Sequence, residues 1–214
     1  MKKNRLIIFD IDGTLADSVM QHQTAFTETL LEIGVNTINS EFKSFKHHTD
    51  SFIAKEIYES DQKQPFSKEK FNQFEEVLTK KIITQQFKEI SGAKELIEKL
   101  KKDPNTMFCF ATGSLREAAG HKLKSIGVHF ENWQLVASDH IYEREKIVEK
   151  VINNSCEHYK IKEFESIISV GDGLWDLITA NNLDIEFIGV GLKNKQILFE
   201  NGAKTVYKDL SDFA

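Results

Sequence analysis

The chain has 214 residues, enough for one large domain or two small ones, with 40% hydrophobic and 29% charged residues, the balance of an ordinary globular protein. Its formal charge of −5 is dispersed, with no basic arm or stripe, which argues against a nucleic-acid partner. No apolar run is long enough to span a bilayer, and the one that follows Arg5 is too short for a signal-peptide core. Cys109 and Cys156 show neither CxxC nor metal-ligand spacing, so a soluble, cytoplasmic protein with no membrane partner is expected.

In chain order, the first predicted element is a strand over residues 6–9. Residues 19–88 then carry helical patterns and no convincing strand. Ala25, Phe26, Leu30 and Ile33 form one stripe, stopped by Gly34. Phe52, Ile53, Ile57 and Tyr58 form a second; Phe71, Phe74, Leu78 and Ile82 form a third, with Ser67 as its N-cap. Ser91-Gly92 marks the end of this block, and small residues near Ser18 and Ser91 suit hinges. Beyond it, the helical stripes Ala93-Leu96-Ile97-Leu100 and Ile147-Val148-Val151-Ile152 alternate with short apolar runs at 106–111, 134–137, 167–170, 187–190 and 205–207. Those runs are β-branched or aromatic with little polar alternation, as in strands buried on both faces of a parallel sheet. The expected fold class is α/β: a doubly wound, Rossmann-like core from residues 1–18 and 89–214, with an all-helical cap of residues 19–88 inserted after the first strand.

Three strand ends carry candidate chemistry. The first is Phe9-Asp10-Ile11-Asp12-Gly13-Thr14-Leu15-Ala16-Asp17-Ser18. In open parallel sheets ligands bind beyond the carboxyl ends of strands, where this pair of acids falls. Two carboxylates so close raise one another's pKa; a hard cation such as Mg²⁺ gives one a reason to stay charged, and a proton-transfer role suits the other. The second is Phe108-Cys109-Phe110-Ala111-Thr112-Gly113-Ser114, where a hydroxyl and a helix start offer phosphate donors or simply an N-cap. The third is Ile168-Ser169-Val170-Gly171-Asp172-Gly173-Leu174-Trp175-Asp176. Its acids suit a helix N-terminus, but with Asp10 and Asp12 they make four carboxylates on one sheet face, which calls for a metal. A transferring phosphoryl group also needs a cation; Arg144 and Lys146, at the start of the Ile147 helix, are the candidates.

In this order the segments resemble the haloacid dehalogenase superfamily of phosphohydrolases over essentially the whole chain. The block at 19–88 is similar to the cap of its phosphoglycolate-phosphatase-like and phosphoglucomutase-like members. The resemblance implies Asp10 as nucleophile, forming an aspartyl phosphate, and Asp12 as general acid and then base. It implies that Mg²⁺ is held by Asp10, the Asp12 backbone carbonyl and Asp172, with Asp176 in support. Phosphoryl oxygens would be bound by Thr112, Gly113 and either Arg144 or Lys146, of which Arg144 is preferred. The implied substrate is a small phosphorylated metabolite. A phosphomutase, or a non-catalytic phosphate-binding regulatory protein on the same scaffold, is the alternative, although none of the four acids is missing. In the cap, His47, His48 and Asp50 form either a capped helix start or a specificity loop facing the acids, while His22 and His121 read as structural or solvated.

Overall fold

Residues 6–9, Leu-Ile-Ile-Phe, contain no polar side chain, and all four are buried. In the computed structural model, which describes residues 5–38 and 45–213, they form most of the central strand β1 (Arg5–Phe9). The segment ahead of that strand, residues 39–44 of the helical block and residue 214 lie outside the described residues.

β1 pairs in parallel with β4 (Thr106–Ala111) on one side and β6 (Ser166–Gly171) on the other. With β5 (Leu135–Val136), β7 (Glu186–Val190) and β8 (Val206–Tyr207) they make a six-stranded sheet in the order β5-β4-β1-β6-β7-β8, parallel throughout. The chain runs outward from β1 in both directions, so β1 sits at the switch point where α/β sheets bind ligands. Alternate β1 residues face opposite layers. Ile7 and Phe9 pack with α4 (Ala93–Lys102) and α5 (Arg116–Ser125), while Leu6 and Ile8 pack with α6 (Arg144–Tyr159). Covering both faces is what allows strands with no polar side of their own. α7 (Leu174–Asn182) and α8 (Lys195–Glu200) complete the layers around β7 and β8.

The helical block consists of α1 (Val19–Glu32), α2 (Asp50–Gln62) and α3 (Lys68–Ile83), built on the three expected stripes. Ser67 caps α3 as anticipated, its hydroxyl accepting from Lys70 N at 3.3 Å. One feature of the region escaped the periodicity. Ala16–Asp17 (β2) and Lys88–Glu89 (β3) pair antiparallel into a two-stranded ribbon through which the chain leaves and re-enters the core. Two-residue strands leave no readable pattern. Ser91, expected at a hinge, is fastened to the core: its carbonyl accepts from Leu210 N at 2.9 Å and its hydroxyl meets Ser211 Oγ at 2.9 Å. Nor is the block detached, because α3 packs on α5 and one apolar cluster runs from Phe26 and Phe74 to Phe110 and Leu123.

Candidate active site

The sheet register places the chemistry. Phe9 lies opposite both Phe110 and Val170, so Asp10, Thr112 and Asp172 emerge together just past the carboxyl ends of three adjacent strands. After Asp10 the chain turns sharply, with Leu15 N and Ala16 N both donating to Ile11 O. Gly13 takes a left-handed φ of 79°, and a Cβ there would stand 2.5 Å from Asp172 Oδ2, so only glycine lets this loop lie against the acids.

Asp10, Asp172 and Asp176 each bring a carboxylate oxygen within 4.8 Å of the others. Burial, followed by the neighbouring Asp176 charge, raises the Asp10 carboxyl well above its usual range, and the same two causes in the same order push Asp172 up to about 7. Asp176 is raised by burial too, although Arg144 and the Gly173 amide offset part of it. The cluster therefore holds more negative charge than its surroundings support. All its donors are hard oxygens at short separation, a set that fits Mg²⁺. Asp176 also accepts from Gly173 N at 3.1 Å, so it caps α7 and faces the cluster at once.

The cation of the cluster is Arg144, at the first turn of α6. Its buried guanidinium donates to Asp10 Oδ1 at 3.1 Å and to Asp176. Burial alone would weaken its hold on the proton, but Asp176 and Asp10 outweigh it and keep the group charged. Lys146 does not reach the site: its side chain is 62% exposed and pairs with Glu143 at 2.8 Å. Thr112 and Gly113 line the same cavity as the acids, and Thr112 Oγ1 accepts from Ser114 N at 3.1 Å.

Asp12 stands apart from the acid cluster. Its carboxylate receives Ser18 Oγ at 2.5 Å, Ser114 Oγ at 2.7 Å, and the ammonium of Lys122 at 2.6 and 2.8 Å. Burial would raise this carboxyl, but the charge and hydrogen bonds of Lys122, with the Ser18 hydrogen bond, hold it well below the usual carboxylate range. With the side chain so occupied, only the backbone carbonyl of Asp12 is left to serve a metal. Lys122 was not singled out in the sequence, yet a signal existed. Leu115, Ala118, Ala119, Lys122, Leu123 and Ile126 form the buried stripe of α5, and a lysine on such a stripe is anomalous.

The cap segment before α2 closes over the strand ends. Thr49 and Asp50 do not cap their own helix through their side chains, contrary to the simpler expectation. Thr49 Oγ1 donates to Tyr142 O at 2.9 Å, Ser51 Oγ donates to Ser138 O at 2.7 Å, and Asp50 N donates to Gly113 O at 2.7 Å. Asp50 accepts from Leu115 N at 3.1 Å and meets His22 Nε2 at 2.9 Å. Of the two histidines expected to be structural or solvated, His22 is buried in this network and His121 bonds Gln85 O at 2.8 Å. His48 stacks on Trp175 with ring centroids 4.6 Å apart and lines the cavity; burial, then Arg144 and His47, lower its pKa to about 4. His47 sits edge-on to Phe52, in the adjoining groove. Together these surfaces line a cavity of about 450 Å³ whose floor includes Asp10, Asp12 and Asp172 and whose cap wall includes Met20, Phe26 and Ile53.

The family model for haloacid dehalogenase-like hydrolases matches residues 7–190. No curated protein sequence matches the chain. Among solved structures, a hydrolase from Pseudomonas syringae aligns over 95% of this chain and 93% of its own, with 22% identity and a TM-score of 0.72. A family IA, variant 3 hydrolase of this superfamily from Entamoeba histolytica covers 100% and 96%, at 19% identity and TM-score 0.72. CbbY from Rhodobacter sphaeroides, solved in complex with phosphate, covers 99% and 96%, at 17% identity and TM-score 0.73. These likenesses establish the fold, and the family model spans the strand ends from Asp10 to Asp176 that carry the site. The chain belongs to the haloacid dehalogenase-like hydrolases, in the phosphohydrolase branch of that superfamily, and is an enzyme of the phosphoric-monoester-hydrolase class.

Proposed function

We propose that the protein is a Mg²⁺-dependent phosphatase acting on a small phosphorylated metabolite through an aspartyl phosphate on Asp10. The observation that carries this reading is the position of Asp10: immediately after β1, at the sheet's switch point, within reach of Arg144 and beside two further carboxylates. Asp10, Asp172 and Asp176, with the Asp12 backbone carbonyl, would hold Mg²⁺. That ion would neutralise charge on the transferring phosphoryl group.

The chain's own residues account for the remaining steps. An Asp10 carboxylate oxygen attacks phosphorus in line as the phosphorus–oxygen ester bond breaks. Asp12, which Lys122 keeps as a carboxylate in the resting site, takes up the proton that a phosphomonoester monoanion brings into the cavity, gives it to the departing oxygen and is a carboxylate again. It then takes a proton from water as that water attacks the phosphorus of the aspartyl phosphate, which releases phosphate and restores Asp10. Arg144 leaves its carboxylate partners for the phosphoryl oxygens, where Thr112 and the backbone at Gly113 join it. The cap, residues 19–88 in this reading, closes over the cavity and limits water to the one molecule the second step needs.

A cavity of about 450 Å³ suits a free metabolite better than a protein-bound phosphate. His48 and Asp50 on the cap wall are the candidates for substrate choice, with His47 behind them. Two unpaired cysteines, and the lack among the described residues of any helix long and apolar enough to cross a membrane, support a cytoplasmic setting. The test is phosphate release from p-nitrophenyl phosphate with Mg²⁺ by wild type and Asp10→Asn. Turnover should vanish in a folded variant; a folded variant with undiminished turnover would remove Asp10 from the role of nucleophile.

A further inference from the structure

The ammonium of Lys122 lies at 0% side-chain exposure, and the steps above give it no task. It has three protons and three acceptors around it: the Asp12 carboxylate, Ser114 Oγ at 3.0 Å and His22 Nδ1 at 2.9 Å. A buried ammonium is tolerated only when fully paired, and here it is. Because an ammonium can only donate, His22 Nδ1 accepts, so the imidazole proton is on Nε2 and is donated to Asp50 Oδ1 at 2.9 Å. The other Asp50 oxygen accepts from Leu115 N. The chain of contacts thus starts at the Asp10–Asp12 loop, passes through core helix α5, crosses to α1 and α2, and returns to the core at residues 113–115. Both Asp12 oxygens are engaged, by Ser18 on the ribbon side and by Ser114 and Lys122 on the core side.

We propose that Lys122 is a positioning residue for Asp12, and that its second arm, through His22 to Asp50, makes the orientation of Asp12 depend on the seating of the cap. The inference rests on the phosphatase reading, in which Asp12 moves the protons. With the cap seated, the ammonium is completed by His22 and holds Asp12 in one orientation at the cavity. When α1 and α2 withdraw, Lys122 loses one of its three acceptors and Asp12 its fixed setting, so proton transfer is confined to the closed cavity.

The experiment compares phenyl phosphate with p-nitrophenyl phosphate. The two esters are similar in shape, but the poorer leaving group of the first needs the Asp12 proton more. Lys122→Met should lower kcat on phenyl phosphate by about tenfold or more beyond its loss on p-nitrophenyl phosphate, part of the range general acid catalysis supplies, with KM little changed. In an Asp12→Asn background the same substitution should add nothing. His22→Gln and Asp50→Asn should shift the ratio of the two rates in the same direction by smaller factors, and they serve as the test if Lys122→Met does not fold. A wild-type ratio in every folded variant, or a Lys122→Met loss that persists undiminished without Asp12, overturns the proposal. Wild-type kinetics from Asp12→Asn itself would instead remove the acid–base role on which the proposal rests, and that variant alone separates the two failures.

Discussion

Two carboxylates one residue apart, Asp10 and Asp12, should respond oppositely to neutralisation. Asp12→Asn places an amide nitrogen against Lys122 and a serine hydroxyl in either orientation, and leaves a lysine at 0% exposure without its counter-ion. Breaking a buried pair from one side costs about 3–5 kcal/mol, and a chain of this size loses about 2–4 °C of Tm per kcal/mol, so a fall of about 6–20 °C is expected. Asp10→Asn removes a carboxylate that burial and Asp176 already hold toward its neutral form, and Arg144 keeps Asp176 as a partner. The metal-free Tm of that variant should not fall. The pH dependence follows from the sign of the Asp12 shift. A depressed folded pKa gives stability that is complete above the unfolded value near 3.8 and is lost only as pH drops through the lower folded value. The Asp12→Asn deficit should therefore be the same at pH 6 and pH 8. Thermal unfolding in EDTA, followed by circular dichroism, measures all of this. An Asp12→Asn Tm within about 2 °C of wild type would refute the claim that the pair is a buried, mutually dependent unit.

The Asp172 carboxyl behaves in the opposite sense. Its folded pKa is raised to about 7, so its contribution is present below the unfolded value near 4 and is lost as pH rises through 7; metal-free wild type should lose Tm over that window, and Asp172→Asn should flatten the loss. Mg²⁺ should restore Tm more at pH 8 than at pH 5.5, because its ligands must be deprotonated, and an equal rise at both would contradict the assignment of these acids as ligands. Arg144→Ala should lower kcat by roughly a hundredfold or more, whereas Lys146→Ala should stay near wild type; the reverse ranking in p-nitrophenyl phosphate turnover would exchange their roles. Gly113→Ala should cost about 1–3 kcal/mol of stability and lower kcat, since a Cβ there meets the His48 carbonyl and the Arg144 guanidinium; unchanged Tm and kcat would mean that the cap does not seat on this loop.

Much of this arrangement was legible in the residues. Strands buried on both faces are apolar throughout, so 106–111 was bounded as observed, and the others differ only at their ends. Asp10, Thr112 and Asp172 were found because strand ends with Gly-containing turns have a local signature. The ribbon of β2 and β3 was not, because two-residue strands are made by pairing at a distance of more than seventy residues, which no local pattern records. Lys122 goes unnoticed in the sequence, and the link from it to His22 and Ser114 is unreadable there, for a related reason. Each lies on a different element, and only tertiary packing shows that one ammonium joins them. The sequence prefers Arg144 to Lys146, and the structure supplies the physical difference: both lie at the start of α6, but of the two only Arg144 reaches Asp10.

The account turns on a covalent bond between Asp10 and phosphorus. Wild-type enzyme with Mg²⁺ and p-nitrophenyl phosphate can be quenched in acid during turnover, and acyl phosphates then reduced with borohydride, which converts a phosphorylated aspartate to homoserine. Peptide mass spectrometry reads the position. Reduction at residue 10, dependent on substrate and absent from Asp12, is the expected result. Steady turnover with residue 10 unmodified, and the reduced residue appearing elsewhere, would contradict it.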